Sequence, residues 1–105
     1  MTDKDFKIVR KLRNILSHFV GLQDFRIFGS RAKGNSDEYS DMDVFIEVNK
    51  LYKELKEKIL EEAWKVSLEN LIVISVIIFT KNEIQNTPLR SSPLLKNIYR
   101  NDVKV

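Results

Sequence analysis

Apolar residues recur along the chain at two different spacings. Between residues 3 and 19 they fall at three- and four-residue steps, and a second region of this kind runs from Lys50 to Leu68. Such steps place side chains on one face of an α-helix, so the pattern predicts two long amphipathic helices. Their apolar faces consist of Phe6, Val9, Leu12, Leu16 and Phe19 in the first helix and Leu51, Leu55, Ile59, Ala63 and Val66 in the second.

Polar residues beside these regions predict where the helices begin and end. Thr2 and Asn49 stand just before the two regions and are good N-caps. Gly21 follows the first region and is predicted to end that helix in a left-handed turn. Ser92 and the proline after it predict the start of a third helix, which runs to Arg100.

Three apolar runs predict β-strands at Phe25–Phe28, Met42–Val48 and Leu71–Phe79. In the second run Met42 and Val44 share one face, while Asp43 and Phe45 share the other. The third run is apolar on both faces, which is typical of a central, covered strand. A loop or short helix at 81–86 and an edge strand at 103–105 complete the chain. The order of elements predicts an α/β (α+β) fold, with helices packed on a small mixed sheet.

Length and composition narrow the class of protein. A chain of 105 residues is predicted to form a single domain, residues 1–105. The absence of cysteine excludes disulfides and thiolate zinc sites. The longest apolar run is too short to span a membrane and the N-terminus lacks a signal-peptide core, so a cytoplasmic location is expected. The net charge of +3 suits a phosphate-rich ligand but is a weak argument for nucleic acid binding.

Two acidic residues stand where the second predicted strand begins. Asp41 and Asp43 are two positions apart, so in a strand both point to the same face, about 6.5 Å apart along the backbone. Carboxylates this close repel each other, and a hard cation between them removes the repulsion. Mg²⁺ is the cation that suits one or two carboxylates together with phosphate oxygens. Taken alone, the pair would also fit a solvated strand entry.

The end of the first predicted strand carries the residue types of an anion site. Gly29 lets the backbone approach a ligand closely, and Ser30 is a good helix cap, so a short helical turn with free N–H groups is predicted to begin there. Arg31 and Lys33 add positive charge. The polar loop from Gly34 to Ser40 is predicted to turn the chain back, so that the phosphate site faces the acidic pair.

Together the two elements resemble a pattern of the nucleotidyltransferase superfamily, which includes DNA polymerase beta. In that family an apolar residue and Gly-Ser are followed, after about a dozen residues, by Asp-x-Asp between apolar residues. The chain has Phe28-Gly29-Ser30, a gap of ten residues and then Asp41-Met42-Asp43. In size it is similar to the minimal nucleotidyltransferases, which are often encoded beside a helical HEPN-type partner.

The resemblance implies the nucleotidyltransferase fold and a reaction. The reaction is the transfer of a nucleoside monophosphate, AMP from ATP, to an acceptor hydroxyl, with Mg²⁺ as cofactor. Asp41 and Asp43 would be catalytic residues and metal ligands. The nucleotide-binding residues would be Gly29, Ser30, Arg31 and Lys33.

The resemblance also implies a protein partner. Larger family members hold the acceptor in a second domain, so the acceptor surface is expected to come from another chain. The expected partner is a HEPN-type helical protein, with this chain as the antitoxin of a toxin–antitoxin pair; a homo-oligomer is a further expectation. The last predicted helix has more apolar surface than a small sheet needs to cover, which predicts an interface there. Its residues are Leu94, Leu95, Ile98 and Tyr99.

The chain departs from the family on its third predicted strand. Catalytically complete members resemble one another in carrying a third carboxylate there, which serves a two-metal mechanism. The run Leu71–Phe79 has no acid; Val73 is the first candidate for the equivalent position and Ser75 the second. The alternative to an enzyme is therefore a catalytically weak or inactive nucleotide-binding module that neutralises a partner by contact.

Overall fold

The computed structural model describes residues 1–33 and 41–105 of the chain. Its helices are α1 (Asp3–Ser17), α2 (Ser30–Lys33), α3 (Lys53–Asn70), α4 (Lys81–Asn86) and α5 (Pro93–Asn101), with a 3₁₀ turn at Pro88–Ser91. Its strands are β1 (Leu22–Phe28), β2 (Met42–Val48), β3 (Ile74–Thr80) and β4 (Val103–Lys104). Within this described part, no helix is long and apolar enough to cross a bilayer.

The strands form one mixed sheet in the order β3–β2–β1–β4. β1 is antiparallel to both β2 and β4, whereas β2 and β3 are parallel. α1 and α3 cover one face, where Leu12 and Ile59 join Val44 and Ile46 in the main core. α4 and α5 cover Phe45 on the other face with Ile84, Leu95 and Ile98. The predicted class, helices packed on a small mixed sheet, is confirmed.

β2 is the central element of both cores. Met42 and Val44 are fully buried toward α1 and α3, and Phe45 is fully buried on the opposite face, as the alternation in the sequence predicts. Asp43 and Glu47 flank Phe45 on that second face and are half-buried. Along this face of the strand, one carboxylate therefore precedes the buried ring of Phe45 and another follows it.

β3 lies at the edge of the sheet, so the prediction of a central strand was wrong. All seven of its residues are half-buried. Val76 and Ile78 pack on the main core, while Phe79 packs on the smaller cluster around Phe45. An edge strand that packs on two cores needs apolar residues on both faces. Its sequence therefore has the same pattern as that of a central strand, which is why the pattern was misleading.

Two of the predicted helix ends are wrong. α1 ends at Ser17, with His18 in a right-handed conformation, and α3 begins only at Lys53. Gly21 and Asn49 instead lie next to each other at the end of the β1–β2 pair. The Asn49 N–H donates to the Gly21 carbonyl at 3.2 Å, so both residues continue the strand pairing rather than cap helices.

Two predicted N-caps are confirmed. The Thr2 hydroxyl accepts a hydrogen bond from the Asp5 N–H at 3.1 Å, while the Asp5 carboxylate accepts one from the Thr2 N–H at 3.3 Å. This reciprocal arrangement satisfies two donors at the start of α1. The Ser92 hydroxyl caps α5 by accepting from the Leu94 N–H.

The apolar surface predicted for the last helix is largely used inside the molecule. Leu95 and Ile98 of α5 are fully buried against Phe45, and only Leu94 and Tyr99 remain partly exposed. Among the described residues, more of the exposed large apolar side chains lie along α3 and before β3.

Candidate functional site

The glycine-serine turn and the acidic pair lie at the same end of neighbouring strands. β1 and β2 are antiparallel, and Phe28, the last residue of β1, is paired with Asp43. Gly29 follows directly, and α2 begins at Ser30. Asp41 immediately precedes β2. The two elements are therefore next to each other in the fold, although ten residues separate Ser30 from Asp41 in the sequence.

Gly29 makes room for the carboxylate of Asp43. A Cβ atom built on Gly29 would stand 2.4 Å from Oδ2 of Asp43, a distance that real Cβ atoms do not adopt. Gly29 also has a φ of +78°, in the left-handed region that glycine tolerates best. Space and backbone conformation thus both require glycine where the chain leaves β1.

The Asp43 carboxyl is in an environment that disfavours its negative charge. Burial raises the pKa of Asp43 above its ordinary value, and the negative charge of exposed Asp41 raises the pKa further. A cation bound by both carboxylates would reverse this, because it replaces like-charge repulsion by attraction. Two hard oxygen donors fit a magnesium ion. Among the residues that the structure describes, no His, Cys, Asp or Glu forms a group of three that could hold a metal.

The position beside Asp43 on the next strand belongs to Ser75. In the parallel pairing of β2 and β3, Asp43 is the direct partner of Ser75, so the two side chains share a face. Val73, the first candidate from the sequence, precedes β3, is largely exposed and binds the Met42 N–H through its carbonyl at 2.8 Å. The pairing therefore favours Ser75 over Val73 as the position beside Asp43 where the third acid is missing.

Arg31 forms an ion pair with Asp5, a residue that the sequence does not indicate as part of the site. Its guanidinium Nη1 donates to Oδ1 of Asp5 at 2.8 Å, and both side chains are buried. Asp5 is also the residue that completes the cap of α1 with Thr2. The sequence marks Asp5 only as a capping residue, because nothing local relates it to an arginine 26 positions away. The ion pair ties α2 to the start of α1.

For two residues of the predicted nucleotide site, Ser30 and Lys33, the structure describes the backbone but not the side chain. Ser30 begins α2 and Lys33 ends it, so the predicted helical turn after Gly29 is present. The side chains of Ser30 and Lys33, and the loop at 34–40 that is predicted to turn the chain, lie outside the described residues. Phosphate contacts of these residues and of Arg31 remain predictions.

A second charged group lies beside the middle and the far end of β2. Arg26 donates to Asp24 at 2.6 Å and to Asp102 at 2.5 Å, and its guanidinium lies 4.8 Å from the centre of the Tyr99 ring. Burial raises the pKa of Glu47, and the charge of Asp24 adds to the rise. This group joins the sheet to the end of α5. It does not include the acidic pair of the candidate site.

Comparisons with known proteins identify the relatives of this chain. A family model described as a nucleotidyltransferase domain matches residues 9–100. A protein of Methanocaldococcus jannaschii, assigned as a protein adenylyltransferase, is 36% identical over 78 residues, which are 74% of this chain and 86% of that protein.

Solved structures share the fold at lower identity. A toxin–antitoxin crystal structure with AMP-PNP superposes with a TM-score of 0.65 and 18% identity, covering 93% of this chain and 69% of the other. A structure described as a minimal nucleotidyltransferase superposes with a TM-score of 0.67 and 14% identity, covering 98% of this chain and 94% of the other. The arrangement of helices and strands around the acidic pair is thus one that other proteins share.

Proposed function

The chain belongs to the nucleotidyltransferase domain family, and we propose that it transfers AMP from ATP to an acceptor hydroxyl. The observation that carries the proposal is the position of the Asp43 carboxylate against Gly29, with Asp41 beside it. In phosphoryl transfer, the carboxylates that would hold the metal need to lie next to the turn that would hold the phosphates, because the metal would supply positive charge to them.

In the proposed reaction the acceptor oxygen forms a bond to the α-phosphorus of ATP. The bond between that phosphorus and the bridging oxygen to the β-phosphate breaks, pyrophosphate leaves, and the hydroxyl proton passes to solvent. Asp41 and Asp43 would hold Mg²⁺, which supplies positive charge to the triphosphate. Gly29 and Ser30 would contact the phosphates through their backbone, and Arg31 and Lys33 would add positive charge.

The choice of AMP and of a protein acceptor rests on the relatives. The Methanocaldococcus jannaschii relative is assigned as an adenylyltransferase that acts on protein. The toxin–antitoxin structure with the same fold contains AMP-PNP, an analogue of ATP. The first supports AMP as the transferred group and a protein as the acceptor, and the second supports ATP as the nucleotide.

The toxin–antitoxin neighbours also support a protein partner. We propose that this chain is the antitoxin-like member of such a pair and that the partner is a HEPN-type helical protein. The partner would then present the acceptor hydroxyl to the acidic pair.

The position of Ser75 favours a second candidate function. The residue next to Asp43 has a hydroxyl where an acid would complete a two-metal site, so at this position a second metal would lack a carboxylate ligand. A chain of this kind could bind the nucleotide through one metal and silence its partner by contact, without transferring AMP.

An ATP-transfer assay separates the two functions. Purified chain is incubated with α-³²P-labelled ATP, Mg²⁺ and the proteins of its own cells, and labelled protein is read on a gel. Transfer predicts a labelled band that disappears in Asp41→Asn and Asp43→Asn and persists in the matched control Glu57→Gln, which changes an exposed acid of α3.

Calorimetry of ATP binding completes the test. Mg²⁺-dependent binding without labelling supports the binding module. Binding that is unchanged in the Asp41→Asn/Asp43→Asn double variant would remove the acidic pair from the site and contradict both functions.

A further inference from the structure

One side of the molecule combines a sheet edge with an exposed apolar surface. Large apolar side chains, exposed from 42% to 91%, line a groove of about 500 Å³ between α3 and the edge strand β3. The residues of this α3–β3 groove are Leu60, Trp64, Leu68, Leu71 and Val73. The first three are four residues apart and form one stripe along α3. A contiguous surface of this kind marks an interaction site.

β3 lacks the features that commonly protect an edge strand. It contains no proline and no charged residue, and its register with β2 is unbroken from Ile74 to Thr80. The Met42 N–H binds the Val73 carbonyl, so odd-numbered residues turn their backbone groups toward β2. The even-numbered residues turn theirs outward, where another strand can bind them. They are Ile74, Val76, Ile78 and Thr80.

We propose that a second copy of this chain covers this side, with the two β3 strands paired antiparallel about Ile77. This register pairs all seven residues of β3, and it sets Val76 opposite Ile78 of the second copy, so that outward backbone groups meet each other. The twofold axis is then perpendicular to the sheet. Both α3 helices, and with them both α3–β3 grooves, lie on the same face of the extended sheet.

Charges at the two ends of β3 favour a second copy over another occupant. Exposed Asp41 lies beside Val73, because the neighbouring Met42 binds the Val73 carbonyl, and exposed Lys81 directly follows β3. Antiparallel pairing about Ile77 brings the end of one β3, which Lys81 follows, to the start of the other β3, where Asp41 stands at the start of the neighbouring strand β2. Opposite charges therefore approach each other at both ends. A purely helical partner could fill the groove, but it would leave the outward groups of β3 without a strand.

The surface has dimensions that suit a stable dimer. Seven residues of strand give an edge about 23 Å long at about 3.3 Å per residue. A standard interface buries about 800 Å² on each partner, with an apolar centre and a polar rim. The groove provides the apolar centre, and the exposed charged residues of α3, including Glu61 and Lys65, provide the rim. This assembly does not depend on the proposed chemistry.

Light scattering coupled to size exclusion tests the proposal on the full chain at tens of micromolar. The wild type is expected to run as a dimer. Ile77→Lys brings two positive charges together at the twofold axis and is expected to raise the dimer dissociation constant by ~100-fold or more. Ile77 belongs to neither core cluster, so the variant is expected to fold. Leu68→Glu in the groove is expected to weaken the dimer as well, whereas Leu94→Glu, the same change at an exposed position of α5, leaves the dimer intact.

A charge swap separates a lost interface from a lost fold. Ile77→Lys and Ile77→Glu are each expected to be monomeric with an unchanged circular dichroism spectrum, and an equimolar mixture of the two is expected to restore a dimer. A monomeric wild type, or a dimer that neither Ile77→Lys nor Leu68→Glu weakens, would overturn the proposal. A monomeric wild type that binds a different protein through this surface would also overturn it, since the occupant would not be a second copy.

Discussion

The carboxylate of Asp43 occupies the space in which a side chain on Gly29 would lie. Oδ2 stands 2.4 Å from the Cβ position of Gly29, and the φ of +78° at Gly29 disfavours other residues independently. The turn that is predicted to bind phosphate and the carboxylate that is predicted to bind metal are therefore sterically coupled. A change at one is expected to displace the other.

Gly29→Ala is expected to reduce both stability and nucleotide binding. The left-handed backbone alone costs an L-residue about 1–2 kcal/mol, and the new methyl group must also displace Asp43. We expect a loss of at least about 1 kcal/mol in the free energy of unfolding from denaturant titration. Mg²⁺-dependent ATP affinity, measured by calorimetry, is expected to fall by about tenfold or more.

Gly21→Ala provides the matched control for this substitution. The Cβ of residue 21 would stand 2.8 Å from the side-chain nitrogen of Asn49, the end of a flexible side chain, and Gly21 has no positive φ. ATP binding should stay unchanged in this variant. Equal losses of ATP affinity in the two variants would contradict the coupling of Gly29 to Asp43.

Asp43→Asn is expected to stabilise the metal-free chain at neutral pH while it removes Mg²⁺ binding. Burial and the charge of Asp41 raise the pKa of Asp43 above its ordinary 3.8. A carboxyl whose pKa is raised by folding contributes stability that is fully present below pH 3.8 and is lost as the pH rises through the raised pKa. Asparagine does not ionise, so the variant does not lose this stability as the pH rises. Its melting temperature should therefore exceed that of the wild type at pH values above the raised pKa of Asp43.

Thermal unfolding from pH 3.5 to 7.5, with EDTA and with Mg²⁺, measures this effect. Burial also raises the pKa of Glu47, which contributes in the same direction in both proteins, so the difference between wild type and variant isolates Asp43. Mg²⁺ should raise the melting temperature of the wild type and leave Asp43→Asn unchanged. A variant that is less stable than the wild type in EDTA at neutral pH would contradict the assigned environment.

Local patterns predicted the parts of this molecule that depend on neighbours in sequence. The alternation of β2, the cap at Thr2 and the turn after Gly29 all follow from residues within a few positions. The place of β3 at the edge does not, because an apolar run shows only that a strand is covered on both faces and not whether another strand lies beyond it. Asn49 was misread for a similar reason, since an asparagine before a helical pattern gives no sign that it pairs with Gly21.

Contacts distant in sequence could not be predicted. The ion pair of Asp5 with Arg31 joins residues from two helices, and its burial becomes visible only in the fold. The pairing of Asp43 with Ser75 depends on the register between parallel strands, which the spacing of apolar residues does not fix. For the candidate site, the motif gave the residue types, and the fold gave their partners.

Asp5→Ala is expected to destabilise the chain strongly. The substitution breaks a buried ion pair by removing the Asp5 carboxylate, which typically costs about 3–5 kcal/mol. The cap of α1 is lost as well. The double variant Asp5→Leu/Arg31→Met, which removes both charges, should recover most of the free energy of unfolding in denaturant titration.

The double variant also tests the predicted phosphate contact of Arg31. Because it is expected to remain folded, a fall in Mg²⁺-dependent ATP affinity would support a contact between Arg31 and phosphate, whereas unchanged affinity would assign Arg31 to structure alone. If Asp5→Ala unfolds at the same denaturant concentration as the wild type, the ion pair has no structural importance.

Ser75→Asp is expected to increase the rate of AMP transfer. The substitution places a third carboxylate next to Asp43 on the face of the acidic pair, where it can serve as a metal ligand or accept the proton of the acceptor hydroxyl. General-base assistance typically contributes on the order of 10²–10⁴ in rate, so we expect faster labelling at nearly unchanged ATP affinity. The added charge also increases repulsion around Asp43, so the variant should depend more on Mg²⁺ for its thermal stability than the wild type does.

Val73→Asp is the comparison for position, because Val73 precedes β3 and lies beside Asp41, whereas Ser75 is the residue paired with Asp43. Ser75→Asn controls for the size of the new side chain without its charge. Neither should accelerate labelling, and a gain that appears in Val73→Asp but not in Ser75→Asp would mean that the register does not define the third acidic position. If Ser75→Asp folds, binds ATP and transfers no faster than the wild type, the lack of an acid at this position does not limit the rate. A wild type that already labels its acceptor would then draw the missing group from another residue, of this chain or of the partner protein.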